Sequence, residues 1–297
     1  PLMIAVKAGD SDIAELLLER GADVHATDKK YGSSALFWAV DTGNAELVEV
    51  LLSHGAHIRD KNNLGLTPLL WAAFNGYLDV VECLLTRNPE VDARDRDGHT
   101  PLMVAARAGR DAVIHVLIDH GADVNAKDRH QKTALIYAAS GGWDSTVRTL
   151  VERGTDVNAR SKSGNTALFW ACYKGHTNVV EALLNSGANV GASNLSGQTA
   201  LFWAALGGSE SATAALLKHG ATPHAREKKY GTTPLFWAVH RNHLDVVRVL
   251  LKNGSNPRFR DYSGNSVLLW AAKNGKCEAV SLLLKHGADP DFPNKRG

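Results

Sequence analysis

Cysteine is scarce: the 297 residues hold three, Cys83, Cys172 and Cys277, widely spaced and without a Cys-x-x-Cys pair. That argues against a disulfide framework and a structural zinc site, and it predicts reduced, mostly packed thiols. Net charge is small too. A formal net charge of +2 is too small to make the whole chain a polyelectrolyte partner for nucleic acid, so any electrostatic function needs charge segregated on one surface. No run approaches the roughly 18 to 20 apolar residues of a membrane span, and PLMIAVKAGD at the start lacks the basic, apolar and small-residue order of a secretory signal. The expectation is a cytoplasmic chain, alone or as the cytoplasmic part of a membrane-associated protein, with no membrane insertion by this segment. Catalytic signatures are also missing: there is no GxGxxG after a strand, GxxxxGK[ST], HExxH or GxSxG. No enzyme, cofactor or metal is expected.

What the chain does have is self-similarity. One position carries Ile4, Trp38, Trp71, Val104, Tyr137, Trp170, Trp203, Trp237 and Trp270, spaced 33 residues apart except for two intervals of 34. Those two longer intervals contain the near-twin turns DKKYGSSALFWAV (28–40) and EKKYGTTPLFWAV (227–239). The twins are therefore the two repeats with one residue added to a turn.

Within each period the chemistry repeats. In residues 95–126 an Asp-x-x-Gly turn leads to Thr100, which can cap a helix with Pro101 at its first position; Thr233 and Pro234 are placed alike. Leu102, Ala105 and Ala106 share one buried face, Gly109 stops that helix, and Val113, Val116, Leu117 and Ile118 form the stripe of a second helix ended by Gly121. A line of like units does not readily converge the unlike groups that an active site needs.

The pattern T-P-L-x-x-A…G…LL…GADVNA at this period resembles the ankyrin repeat over the entire chain. The resemblance implies an all-α solenoid of about nine stacked helix-turn-helix repeats with β-hairpin fingers, whose concave groove binds protein partners. The repeats run 1–26, 27–60, 61–93, 94–126, 127–159, 160–192, 193–225, 226–259 and 260–292 in one domain, with 293–297 starting another. Neither end shows the polar cap that solenoids use, so a fragment of a larger protein is expected. Two positions depart from the family. Its usual His is replaced by Phe37, Leu70, Met103, Ile136, Phe169, Phe202, Phe236 and Leu269, and its usual Leu or Val by the Trp ladder. The segment ACYKGHTNVVEALLNSGAN (171–189) is similar to one in neurotrophin-receptor membrane scaffolds that interact with kinase D, and fungal immune-type receptors with ankyrin tails also place Trp here. Asn125 and Asn158 resemble ankyrin asparagines that are hydroxylated.

Three features compete for function. The eight finger windows from 26–33 to 258–265 hold 16 Lys or Arg against 8 Asp or Glu. Position one of the repeat carries Lys61, Arg94, Lys127, Arg160, Arg226 and Arg260, and position three Lys29, Arg96, Arg129, Lys162 and Lys228. These columns suit acidic groups or simply keep the edge solvated. The ladder, with Phe74, Tyr173, Leu206, His240 and Arg241 one turn on, is either a set of interface anchors or a packed seam. Lys229 and Tyr230 stand in the longer turn, a recognition element or a neutral insertion with few tertiary contacts. Histidines before Gly, such as His54, His120, His219 and His286, read as helix C-terminal partners.

The sequence thus predicts a protein-protein interaction module or scaffold. Its partner is a protein or peptide segment, acidic in part, gripped by Trp170, Tyr173, Trp203, Leu206, Trp237, His240, Arg241 and Phe74 and oriented by Lys127, Arg129, Arg160, Lys162, Arg226, Lys228, Lys229 and Tyr230. The alternatives are a sensor of a phosphorylated small ligand or single-stranded oligonucleotide, and a structural spacer. Nucleic acid is not the expected partner, and nothing in the sequence sets the oligomeric state.

Overall fold

The computed structural model describes residues 1–291, so the start of a further repeat expected at 293–297 lies outside the described residues. The chain divides into two compact units, Pro1–Asp156 and Val157–Gly297. The first contains α1 (Leu2–Ala8), α2 (Ser11–Glu19), α3 (Ala35–Thr42), α4 (Ala45–Ser53), α5 (Pro68–Asn75), α6 (Leu78–Leu85), α7 (Pro101–Ala108), α8 (Asp111–Asp119), α9 (Ala134–Gly141) and α10 (Asp144–Glu152). The second contains α11 (Ala167–Lys174), α12 (Thr177–Asn185), α13 (Ala200–Gly207), α14 (Glu210–Lys218), α15 (Pro234–Arg241), α16 (Leu244–Lys252), α17 (Val267–Lys273) and α18 (Cys277–Lys285). Within each unit odd-numbered helices pack on odd and even on even, so both are two-layered stacks of helix pairs.

Local chemistry sets the element boundaries. The hydroxyls of Ser34, Thr67, Thr100, Thr133, Thr199 and Ser266 each accept the backbone N–H three residues on, satisfying one orphan donor of the first turn. Thr233 holds the same extended cap conformation, yet its hydroxyl makes no capping bond, so Pro234 alone starts α15 there. Gly109 ends α7 at φ 67°, as the sequence predicts.

Leu102, Ala105 and Ala106 are buried. In α8 the core residues are Val113, Ile114 and Leu117, with Val116 and Ile118 only half-buried. Most second helices likewise bury the residue after the first of the stripe, as in Val48, Val81, Val147, Val180 and Val247, whereas Val280 of α18 is only half-buried. His54, His120 and His286 direct Nδ1 at the carbonyls of Val50, Val116 and Leu282, at 2.8, 2.8 and 2.9 Å, and so serve the helix ends as hydrogen-bond donors. Cys172 is buried, Cys83 half-buried and Cys277 exposed, all as free thiols.

The fingers are narrower than the hairpins that the family resemblance implies. Isolated antiparallel bridges occur at Thr27 with Ser34, Ser193 with Thr199 and Arg260 with Ser266. Elsewhere each finger is a turn. In the ordinary fingers the N–H of the fourth residue closes on the first carbonyl, as in Gly65 to Asn62 (2.8 Å) and Gly98 to Asp95 (3.1 Å). The twins close one residue later, Gly32 on Asp28 at 3.0 Å and Gly231 on Glu227 at 3.1 Å. The added residue thus converts a β-turn into an α-turn. Gly32 and Gly231 take φ 61° and 71°, and a Cβ there would meet Asn63 or the Tyr262 ring within 3 Å.

Candidate functional site

The Trp ladder lies along the first-helix layer, and Trp38, Trp71, Trp170, Trp203, Trp237 and Trp270 are all half-buried. In the second unit Trp170 and Trp203 pack in a tilted pair with centroids 5.7 Å apart, and Tyr173 meets Trp203 edge-on at 5.4 Å. Gly207 makes this approach possible, because a Cβ there would fall 2.1 Å from the Tyr173 carbonyl oxygen. Leu206 is half-buried one turn beyond Trp203. Trp237 gathers with His240 at 5.1 Å, and His240 in turn lies 4.7 Å from Trp270, while Arg241 beside it is exposed. In the first unit Phe74 is 36% exposed and packs on Trp71 at 6.1 Å, with the Arg107 guanidinium 5.5 Å from its ring.

The two departures from the family turn out to be coupled. Phe37 contacts Trp71 at 5.8 Å, Phe202 contacts Trp237 at 5.6 Å and Phe236 contacts Trp270 at 5.6 Å. A Phe in one repeat therefore supports the indole of the next, gaining aromatic contact in geometries worth about 0.5–1.5 kcal/mol beyond area burial. The packed-seam reading is thus met in part, because the ladder rings pack on their neighbours yet remain only half-buried. The Trp203 indole N–H and His240 Nδ1 are buried without a hydrogen-bond partner among the described residues. Burial first, then the charges of Arg241 and Lys276, hold the His240 imidazole below its ordinary range.

The basic columns divide by role. Position one straps finger to finger: Lys61 Nζ donates to the Arg94 carbonyl at 2.9 Å, Arg94 to that of Lys127 at 2.7 Å, Arg160 to Ser193 and Arg226 to Arg260. Lys127 is exposed at the same position. At position three Arg96, Arg129, Lys162 and Lys228 are exposed and carry no ion pair among the described residues. Lys229 is exposed with Nζ 4.7 Å over the Tyr230 ring.

The tips are also tied together. The backbone N–H of Asn63 donates to the Tyr31 carbonyl at 2.8 Å, and that of Tyr262 to Tyr230 at 2.8 Å; Arg129 to Asp97 and Lys228 to Ser196 repeat the link. The tertiary freedom expected of the long turns is therefore absent. Asn125 and Asn158 accept from the N–H of Asp156 and Asn189, each at 2.8 Å, and so join successive loops as well.

Position two of the finger went unread in the sequence, although Asp28, Asn62, Asp95, Asp128, Asn194, Glu227 and Asp261 recur there. Each accepts backbone N–H groups of its own turn. Asp28 also takes the Trp38 indole N–H at 3.1 Å, whereas at the twin the Trp237 indole donates to Thr232, whose hydroxyl donates to Glu227. In both long fingers the aromatic ladder is thus wired to the turn acid. Between the third and fourth full fingers the wiring becomes a chain. Asp95 pairs with His99 Nδ1 at 2.8 Å, His99 Nε2 with the Tyr137 hydroxyl at 3.0 Å, and that hydroxyl donates to Asp128 at 2.6 Å. Burial and the Asp128 carboxylate push the Tyr137 phenol up, so it remains a donor.

No helix among the described residues is long and apolar enough to cross a membrane. The family model described as ankyrin repeats (3 copies) matches residues 2–95, 71–161, 135–227, 186–261 and 223–294. No curated protein matches the chain.

Proposed function

Because the chain belongs to the ankyrin-repeat family, whose arrays are generally protein-protein interaction modules, we propose that it binds a segment of a partner protein against the first-helix layer of its second unit. The observation that carries this reading is the seam of Trp170, Tyr173 and Trp203, half-buried rings fixed by mutual contact with one side left open. Rigid aromatics of this kind lose little entropy on binding and dominate interface energies. Leu206, Trp237 and His240 extend the seam. The position-three cations Lys162 and Lys228, with Lys229 and Tyr230 in the long finger, orient acidic groups of the partner. Arg160 and Arg226 act one step removed, by holding adjacent fingers at fixed spacing.

Affinity capture with wild type and the Trp203→Ala/Trp237→Ala variant tests the reading. Circular dichroism must first show both folded. Loss of the captured partner at moderate salt supports it, and retention of that partner by the variant refutes it. A steep linear fall of binding with log salt would instead mark a phosphate-rich ligand.

A further inference from the structure

We propose that a pocket of the first unit, between Trp38 and Trp71, takes a basic side chain of the partner segment, lysine or arginine, held as a cation. The inference rests on the reading of the chain as a protein-binding module. The pocket has a volume of about 220 Å³, and its walls include Tyr31, Phe37, Trp38, Asp41, Leu64 and Trp71. That volume lies below the roughly 300–1,000 Å³ typical of small-molecule sites. It suits one side chain.

The walls select for positive charge. Both indole N–H groups are turned to carboxylates, Trp38 to Asp28 at 3.1 Å and Trp71 to Asp41 at 2.8 Å. With their positive edges engaged, the rings offer the occupant their negative faces. Asp41 uses Oδ1 for Trp71, and its Oδ2 takes no hydrogen bond among the described residues. An anion would be repelled by this set, and a neutral apolar group would desolvate the carboxylate without compensation. Trp38 already accepts an ammonium elsewhere on its surface, since Lys7 Nζ lies 3.6 Å from its ring centroid. No basic side chain lines the pocket itself.

Its twin shows why the pocket is open. Six repeats on, the residue equivalent to Asp41 is His240. That imidazole reaches both rings of its own pair, 5.1 Å from Trp237 and 4.7 Å from Trp270. The short acidic side chain leaves room where the imidazole fills it. The two KKYG fingers, nearly identical in sequence, thus frame one vacant cage and one filled aromatic cluster.

The test is titration of the full chain with Nα-acetyl-lysine amide and, separately, with the neutral Nα-acetyl-norleucine amide, followed by the ¹⁵N-indole resonances of Trp38 and Trp71. The lysine probe should shift both resonances saturably while norleucine does not. Asp41→Asn, which keeps an acceptor for Trp71, should weaken the response about tenfold, the scale of one charged hydrogen bond. An equal response to norleucine, no saturable shift, or an undiminished response in Asp41→Asn would each overturn the proposal. Partner capture with no lysine response sinks the pocket and leaves the module standing. A lysine response with capture indifferent to Trp203→Ala/Trp237→Ala tells against the second-unit seam alone.

Discussion

Glu227 offers the sharpest stability test, because the residue is only 4% exposed and its carboxylate accepts four hydrogen bonds within one turn. The donors are the N–H groups of Lys229 (2.7 Å), Tyr230 (2.6 Å) and Thr232 (3.2 Å) and the Thr232 hydroxyl (3.1 Å). The hydroxyl also accepts from the Trp237 indole at 2.9 Å. Truncation to alanine removes all four acceptor contacts and leaves Thr232, itself buried, with two donors to place. At about 1 kcal/mol net for each bond, discounted for the tip donors that water can reach, Glu227→Ala should cost about 2–4 kcal/mol. Glu227→Gln keeps one acceptor oxygen and should cost about half as much. The assay is urea unfolding alongside amide exchange of Tyr230 and Thr232, with the exposed Glu181→Ala as control. A Glu227→Ala cost within about 0.5 kcal/mol of that control, the range of ordinary surface changes, would refute the claim that turn acids hold the fingers.

The other predictions concern the same wiring. Tyr137→Phe strips the partner from Asp128 Oδ2, whose side chain is fully buried, and should destabilise the protein by about 1–3 kcal/mol in denaturant titration. Arg94→Ala should cost about 0.5–1.5 kcal/mol through the lost finger strap, whereas Arg129→Ala should change stability little; equal costs would contradict the division of the basic columns. Burial raises the carboxyls of Asp28, Asp95 and Glu227, but hydrogen bonds outweigh it, from Tyr31, Trp38, Ser33 and Lys30 for Asp28, from His99 and Asp97 for Asp95 and from Thr232, Lys229 and Tyr230 for Glu227. Their folded values therefore lie below the unfolded ones, so the stability they contribute is complete above about pH 4 and lost as pH falls through the lowered values. Asp92, raised by burial, by Asp123 and by Glu90, works in the opposite sense. Melting temperature followed between neutral and acid pH should drop below about pH 4, and less steeply in Glu227→Gln.

Period and composition made the helix pairs, their caps and the buried Leu and Ala positions legible, because each repeat restates the same local chemistry. The inserted residue of the KKYG turns was visible as an interval of 34, but its effect was not. Whether an added residue frees a tip or widens a turn depends on a backbone bond, Gly32 to Asp28, that side-chain types do not announce. Position one of the basic columns was legible as charge, but its strapping was not, since Arg94 and Arg226 reach carbonyls a repeat away and the contact is with backbone. Position two was the missed signal. Asp, Asn and Glu at one column look like generic turn polarity until their oxygens are seen to collect N–H groups and an indole. The Phe and Trp departures, read separately, became one packing pair only when Phe37 and Trp71 came into contact across a repeat boundary.

The central claim is that the aromatic seam of the second unit carries partner affinity. Its most direct test is the dissociation constant of the captured partner for wild type, Trp203→Ala and Lys162→Ala at low and moderate salt. The account predicts a loss of about 2 kcal/mol or more, roughly thirtyfold, for Trp203→Ala at both salts, with a smaller, salt-sensitive loss for Lys162→Ala. A Trp203→Ala variant that folds and binds as wild type does would contradict it.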